Sequence, residues 1–366
     1  MKKVTLKQIA DQAGVSLTTV HRVLNGKGGA SKAVEEEILT IAREQGYSVN
    51  LTAANLRTPP LHVALVFPAM GKSSYYFINR ILNGYLGFRS EVTQYNAVFQ
   101  EFYFGANTTS EEEANAEFEE ILKNIYRDQP VHYDGVIIYG LGISHKSEAI
   151  INRIVGRGTK VVVLEHCPEG LFDVCSTQVN DEIAGGLAGN LIAASVHNSG
   201  NVLILNQNLR PSDINAQSCA KVLAEDRPDL NVIHEELPLF EDLVDPVAEI
   251  LKKHPDIQAV YSTSARHTRS LIGAMEKTGI RPPVAIGSEL FDVTYEALHN
   301  RALYAVIDKR PELIGYYGLY LLFDCLFRRV ELPPVYRITP RIILRANSKK
   351  YFIDHENLYG ITRFTD

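Results

Sequence analysis

Residues 5–25, TLKQIADQAGVSLTTVHRVLN, constrain the fold of this chain more than any other stretch. Thr5 is a good N-cap, and Gln8, three residues on, can reach back to complete a capping box. Ile9, Ala10 and Ala13 form an apolar stripe at helical spacing, and Gly14 stands where a helix ends and the backbone needs positive φ. Ser16 then caps a second helix whose inner face is Val20, Val23 and Leu24. Small Ala10 lets the two helices cross closely, Gly14 makes the corner, and Val20 fills the angle. These offsets meet the steric requirements of a helix-turn-helix, whose second helix enters the major groove of duplex DNA. An ordinary αα-hairpin is the other reading of the same spacing. Asn25-Gly26-Lys27-Gly28-Gly29 follows as a turn, and Ser31 caps a third helix running to about Gln45. That helix has Val34, Ile38, Leu39, Ile41 and Ala42 on its inner side. Its Glu35, Glu36 and Glu37 lie in the first turns, where the helix dipole favours them. Gly46 ends the helix, and Tyr47 is expected to cover the small core.

A net charge of -6 looks wrong for a nucleic-acid partner until it is divided along the chain. Residues 1–60 hold eight Lys or Arg against five Asp or Glu, a net of +3, so the rest carries -9. A basic head on an acidic body is the asymmetry expected when only the head meets phosphate. With 366 residues, 45% hydrophobic and 22% charged, the chain has the composition of a globular protein of two or three domains. It contains no run of ~18 apolar residues and no basic-apolar-small N-terminal pattern, so neither a membrane span nor a secretion signal is expected. Cys167, Cys175, Cys219 and Cys325 are scattered, with no metal-ligand spacing, and fit thiols in a reducing cytoplasm. No metal and no cofactor is expected.

From Leu61 the pattern becomes alternating strands and helices. HVALVFP (62–68), NAVFQEFYF, DGVIIYG (134–140) and KVVVLE (160–165) are strands between amphipathic helices, and STQV (176–179) leads into a helix from 181. NVLILN (201–206), 231–235, AVYST (259–263), VAIGS (284–288) and ALYAVID (302–308) form a second series, and VYRITPRIIL (335–344) reads as one closing strand. Continuous Val/Ile/Leu runs of this kind indicate parallel sheets covered on both faces. Gly185, Gly186 and Gly189 lie within a helix rather than opening one, which points to close packing and not to a phosphate loop.

Taken together, TLKQIADQAGVSLTTVHRVLNGKGGAS…EQGYSVN resembles the head of the LacI family of bacterial transcription regulators, nearly continuously over residues 5–57. The resemblance implies that Leu17, Thr18 and Arg22 face base edges, and that Thr5, Ser16, Thr19, Asn25 and Tyr47 mostly hold the backbone. Arg22 is chemically apt, since a guanidinium can bond two guanine acceptors at once. Leu17 offers only apolar contact, and His21 departs from the family's usual serine, so the preferred operator is expected to differ from the common one. NLTAANLR (50–57) resembles the family's hinge helix, with Leu56 as the apolar wedge in the minor groove. Asn55 stands where a basic residue is usual.

The tandem halves of the body resemble a type I periplasmic-binding-protein fold. The whole is then a small all-α head joined to two doubly wound parallel-sheet lobes. The expected boundaries are 1–48 for the head, 49–60 for hinge and linker, and 61–366 for the effector-binding and dimerisation domain. Lobe one takes about 61–175 and 308–334; lobe two takes about 176–307 and 335–366. Ligands in such sheets bind at the carboxyl ends of the strands. On that rule the candidate contacts are Tyr75, Tyr76 and Phe77 after the first strand, and Glu165 after the fourth. Arg210, Asp213, Asn215, Arg266, Glu289 and Asp308 are the candidates from the second half. The family's arginine is replaced by Asn215, and its usual aspartate by Glu289.

The expected protein is a ligand-responsive transcription regulator of the repressor kind. Its expected partners are double-stranded operator DNA, a sugar, sugar acid or polyol, and a second copy of itself as homodimer or as a tetramer of two dimers. The other readings are an enzyme acting on a small polar metabolite and a transport-type solute-binding protein. The first finds no GxSxG elbow, Walker sequence, HExxH or helix-opening GxGxxG, so no catalytic residue is assigned. The second would need a secretion signal and no DNA-reading head.

Overall fold

A computed structural model describes residues 6–24, 30–44, 59–69, 76–108, 110–140, 142–207, 213–238 and 243–359. The head comprises α1 (Leu6–Ala13), α2 (Leu17–Leu24) and α3 (Lys32–Glu44). Gly14 takes φ +64° at the corner, and Ser16 Oγ accepts the Thr19 N–H at 3.0 Å to cap α2. Ile9, Ala10, Val20, Val23, Ile38, Ile41 and Ala42 form its core, so the helical stripes meet as the spacing requires. Leu39 departs from the expectation: it is 44% exposed, because its position on α3 turns it away from α1 and α2.

The first lobe is built from β1 (Leu61–Pro68), α4 (Tyr76–Glu91), β2 (Ala97–Phe104), α5 (Glu111–Tyr126), β3 (Gly135–Tyr139), α6 (His145–Gly156), β4 (Lys160–Leu164) and β5 (Cys175–Val179). The second follows as α7 (Asp181–Ser195), β6 (Gly200–Gln207), α8 (Ile214–Asp226), β7 (Leu230–Leu237), α9 (Val244–Lys253), β8 (Ile257–Ser262), α10 (Ala265–Thr278), β9 (Val284–Ser288), α11 (Asp292–His299) and β10 (Ala305–Asp308). The chain closes through α12 (Pro311–Arg328), β11 (Val335–Ile338), β12 (Arg341–Ile343) and α13 (Arg345–Tyr359). Many of the body helices open on a side-chain cap: Ser110, Ser144, Asn180, Asp213 and Ser264 each accept a backbone N–H three residues on.

Two six-stranded sheets result, in the orders β11-β5-β4-β3-β1-β2 and β12-β10-β9-β8-β6-β7. All pairs are parallel except β10 with β12. Along β1, Val63, Leu65 and Phe67 pack toward α4 and α12, while Ala64 and Val66 pack toward α5 and α6. β6 divides in the same way between two further cores. In each sheet the first strand stands between the second and third, so the order reverses there and opens a crevice at the strands' carboxyl ends.

The crossings between lobes fall a few residues from the expected ones. STQV, assigned to lobe two from the sequence, pairs with β4 and β11 and belongs to lobe one. VYRITPRIIL is two strands: β11 is parallel in lobe one and β12 antiparallel in lobe two, with Thr339-Pro340 between them. Pro340 cannot donate to a ladder, which is why the run breaks there. The strand expected over 302–308 begins only at Ala305.

Two pairs of helices cross with backbone nearly touching backbone. A Cβ on Gly84 of α4 would lie 1.7 Å from the Glu312 carbonyl oxygen, and one on Gly315 of α12 would lie 1.9 Å from that of Ile81. Gly185 and Gly189 do the same for α7 against α8, as the sequence reading of close packing anticipated, whereas a Cβ on Gly186 meets nothing within 4 Å. Gly84→Ala is expected to lower stability by about 1–3 kcal/mol, because neither backbone can yield without moving a helix. Gly186→Ala is the control and should be neutral or slightly stabilising. Urea midpoints measure both, and equal midpoints would refute the role given to Gly84.

Candidate functional site

Two surfaces concentrate the sequence candidates. On the head, Val20 and Val23 of α2 are buried, which leaves Leu17, Thr18 and Arg22 on the outward side. Leu17 is 51% exposed, and nothing in the three-helix core uses it. Ser16 and Thr19 stand at the start of the same helix, with their hydroxyls 2.8 Å apart. The outward side of α2 therefore presents one guanidinium, one hydroxyl and one apolar side chain. Thr5, Asn25, Tyr47 and Leu56, with the rest of the 50–57 run, lie outside the described residues.

The second is the buried junction of the two lobes at the carboxyl ends of their strands. Tyr76, Glu289 and Asp308, expected separately from three strand ends, are brought together there. They meet around a residue the sequence reading did not single out, Arg80 of α4, which is 7% exposed. Its guanidinium donates to the Tyr76 hydroxyl at 2.8 Å, and lies 3.3 Å from Asp308 and 3.9 Å from Glu289. It also pairs with Glu312 at the start of α12. Tyr76 in turn donates to the Leu290 carbonyl, and its ring rests 5.0 Å from that of Phe291. The other Asp308 oxygen accepts from Arg341 of β12 at 2.8 Å. The Arg341 guanidinium lies 3.9 Å from the centre of the Tyr351 ring of α13.

Local structure explains how these groups arrive. Tyr76, Arg80 and Gly84 repeat at i, i+4, i+8 on one stripe of α4, so the close crossing at Gly84 carries Arg80 to Glu312. Asp308 is the last residue of β10, and Glu289 follows β9 in the left-handed region at φ +67°. That conformation is uncommon for a residue other than glycine and costs of order 1 kcal/mol or more. It is held by the Glu289 N–H to the Ile307 carbonyl at 3.0 Å and by Thr294 Oγ1 donating to the Glu289 carbonyl at 2.9 Å. The spacing 76-80-84 was the available signal for Arg80. Its meaning depended on partners more than 200 residues away.

Burial pushes the Glu289 carboxyl up from the ordinary 4.5 to about 8; Asp308 adds to the rise, and Lys309 and Arg80 oppose it. Glu312 is raised for the same first reason. Burial works against the charge on Arg80, but Glu312, Tyr76, Asp308 and Glu289 together hold it protonated. Three carboxyl groups, Glu289, Asp308 and Glu312, face the guanidiniums of Arg80 and Arg341, and burial favours the neutral form of Glu289. Lys309 ties the cluster to lobe two: its Nζ donates to the Thr263 carbonyl at 2.9 Å and lies 3.6 Å from Asp181.

The remaining candidates lie apart. Asp213 caps α8, and its second oxygen accepts from Thr263 Oγ1 at 3.0 Å. Asn215 is buried, and its Oδ1 accepts from the Tyr261 hydroxyl at 2.6 Å. Its Nδ2, like the Oδ1 of buried Asn206 near the end of β6, has no hydrogen-bond partner among the described residues. Phe77 packs on the lobe-one core, Arg266 is half-buried in the first turn of α10, and Glu165 is half-buried after β4. Tyr75 and Arg210 lie outside the described residues. The four cysteines are free; burial pushes the Cys175 and Cys219 thiols up to about 12, which makes them inert. Among the described residues no group of His, Cys, Asp and Glu could hold a metal ion, and no helix is long and apolar enough to cross a membrane.

Comparison with known proteins divides the chain in the same way. Residues 5–50 match the family model for bacterial regulatory proteins of the lacI family, and residues 87–327 match that of the periplasmic binding protein domain. The sucrose operon repressor of Klebsiella pneumoniae is 44% identical over 71 residues, 18% of this chain and 21% of that protein. The ribitol operon repressor of Klebsiella aerogenes is 41% identical over 66 residues, 17% of this chain and 24% of that protein. These alignments thus span about a fifth to a quarter of the length of the curated relatives. Among solved structures, AraP, an arabinose binding protein from Geobacillus stearothermophilus, is similar with a TM-score of 0.65 at 16% identity. That match covers 80% of this chain and 100% of the other, and it shows the fold.

The raised Glu289 carboxyl has a consequence for stability. A folded-state value above the unfolded one means that the folded chain binds the extra proton, so the contribution is complete below the ordinary 4.5 and is lost as pH rises through about 8. The melting midpoint of the full chain is expected to fall between about pH 4.5 and about pH 8, and Glu289→Gln to flatten that fall. The groups facing Glu289 are Asp308, Lys309, Arg80 and Glu312. A Glu289→Gln variant with the unchanged slope would remove this carboxyl from the account.

Proposed function

We propose, for a chain that belongs to the periplasmic binding protein domain family and carries the DNA-reading head of the lacI family, a function as a ligand-responsive transcriptional regulator of the repressor kind. The observation that carries this reading is the pairing, in one chain, of two parts. One is a helix-turn-helix with Leu17, Thr18 and Arg22 on the outward side of its second helix. The other is a two-lobed body with a crevice at the carboxyl ends of both sheets. The head supplies base contacts through Arg22 and Thr18, an apolar contact through Leu17, and phosphate contacts through Ser16 and Thr19. Two copies paired through their bodies present two heads to a near-palindromic operator, with Leu56 of each hinge as the minor-groove wedge.

The effector class that the crevice fits is a sugar, sugar acid or polyol. Asp213, Glu289 and Asp308 accept from hydroxyls. Asn215 Nδ2 and Asn206 Oδ1, unsatisfied among the described residues, offer a donor and an acceptor at buried positions, where an unmade hydrogen bond costs about 1–3 kcal/mol. The named relatives are repressors of the sucrose and ribitol operons, one a sugar and one a polyol, which supports the same class. The ligand acts by binding one arrangement of the lobes better than another, which changes how the paired heads meet DNA.

A mobility-shift assay on the DNA upstream of the protein's own gene, at low salt and with a panel of sugars, sugar acids and polyols, tests this reading. Retardation that one panel member alters is the expected result, and no retardation of any fragment would refute it. Arg22→Ala is expected to weaken binding by about 1–3 kcal/mol and to leave any ligand-induced rise in the melting midpoint of the DNA-free protein intact. Loss of that rise in Arg22→Ala would refute the division between head and body.

A further inference from the structure

The Arg80 cluster lies across the boundary between the lobes. Arg80 and Tyr76 come from lobe one, as does Glu312 of α12, whose helix packs on α4. Glu289, Leu290, Asp308 and Arg341 come from lobe two. Four contacts therefore pass from one lobe to the other through a single helix stripe: Arg80 to Asp308, Arg80 to Glu289, Tyr76 to the Leu290 carbonyl, and the Tyr76 ring to Phe291. All of these groups belong to the chain itself.

A guanidinium so deeply buried is stable only where its partners are fixed, since stripping one partner from a buried pair leaves an uncompensated charge. Glu312 travels with lobe one and stays beside Arg80 in any arrangement. Asp308 and Glu289 travel with lobe two, and separating the lobes takes them away. Asp308 is kept aimed at Arg80 because Arg341 holds its second oxygen through both Nε and Nη2, at 2.8 and 2.7 Å. The Arg341 guanidinium in turn lies over the Tyr351 ring. Tyr351 belongs to α13, a helix that also rests on α11 through the stacked pair Tyr295 and Phe352 and that touches α4 across the lobe boundary. Tyr351, Arg341, Asp308 and Arg80 thus make one unbroken chain from the C-terminal helix to the opposite lobe.

We propose that Arg80 is a built-in latch that holds the two lobes in this bridged arrangement, and that α13 sets the strength of the latch through Tyr351 and Arg341. The C-terminal helix becomes a second place from which that arrangement is adjusted.

Hydrogen exchange followed by mass spectrometry on the full chain, with neither DNA nor ligand added, tests the latch independently of the regulator reading. In Arg80→Gln, exchange over residues 76–84 and 288–292 should rise by about tenfold or more, while residues 202–205 in the lobe-two core and residues 6–24 in the head stay unchanged. Tyr351→Ala should raise exchange over 288–292 by about threefold, and Tyr351→Phe, which keeps the ring under Arg341, should match the native chain. Native exchange at 288–292 in Arg80→Gln overturns the latch. Native exchange in Tyr351→Ala overturns the part assigned to α13. If Arg80→Gln also loosens residues 202–205, Tyr76→Phe decides. It removes only the hydroxyl between Arg80 and Leu290, so faster exchange confined to 288–292 sustains the latch and none overturns it.

Discussion

Asp308 is a fully buried carboxylate at the last residue of β10, where the chain leaves lobe two for α12. Taking such a group out of water costs several kcal/mol, so it survives only with its oxygens paired. One oxygen is served from its own lobe by Arg341 and the other from the opposite lobe by Arg80. Arg80 reaches it only because α4 lies almost in backbone contact with α12, and α4 lies there only because Gly84 and Gly315 carry no Cβ. The need to satisfy one carboxylate therefore ties a helix crossing, the end of a sheet and the join of two lobes into one arrangement. Shortening any part of that chain leaves a charge unpaired in the interior.

The same constraint governs the neighbours of Asp308. Three carboxyl groups face two guanidiniums, and a third negative charge would have no close counterion except Lys309, whose ammonium is turned to Thr263 and Asp181. A proton on Glu289 resolves the imbalance at little cost, because burial already disfavours its charged form. The left-handed backbone at Glu289 fits this view: the residue is held at φ +67° by its own main-chain bonds, so its carboxyl has little freedom to seek water.

Much of this architecture is legible in the sequence where the physics is local. Helical stripes at 9, 10 and 13, a glycine at 14 and a cap at 16 specify the head within a few residues of chain. Continuous Val/Ile runs reveal the buried parallel strands, since both faces of such strands must be apolar. The reading fails where pairing is decided at a distance. Nothing within STQV or VYRITPRIIL says which sheet each will join, because short strands take their place from the neighbours they meet: β5 lies between β4 and β11, and β11 and β12 each end a sheet. Leu39 reads as core on a 3.6-residue wheel and is exposed because three short helices cover only a narrow stripe of one another. The strand-end rule pointed to Tyr76, Glu289 and Asp308, which meet in the structure, but not to Arg80, Glu312 and Arg341, which join them. An isolated charge on a helix gives no sign of whether it faces water or a carboxylate more than 200 residues away.

Tyr76, Glu289 and Asp308 are at once the candidates for holding an effector and the groups already engaged by Arg80. On the proposed reading, ligand binding at these groups is an exchange rather than an addition. Every hydrogen bond gained by a ligand hydroxyl replaces one made to the guanidinium or to a neighbouring main chain, and the measured affinity is the difference. A ligand that merely matched what Arg80 supplies would leave the balance of lobe arrangements where it was, however many contacts it made. On that reading the ligands that act are those that satisfy the carboxyls of lobe two better than Arg80 does, because only a difference between the two lobe arrangements moves the balance.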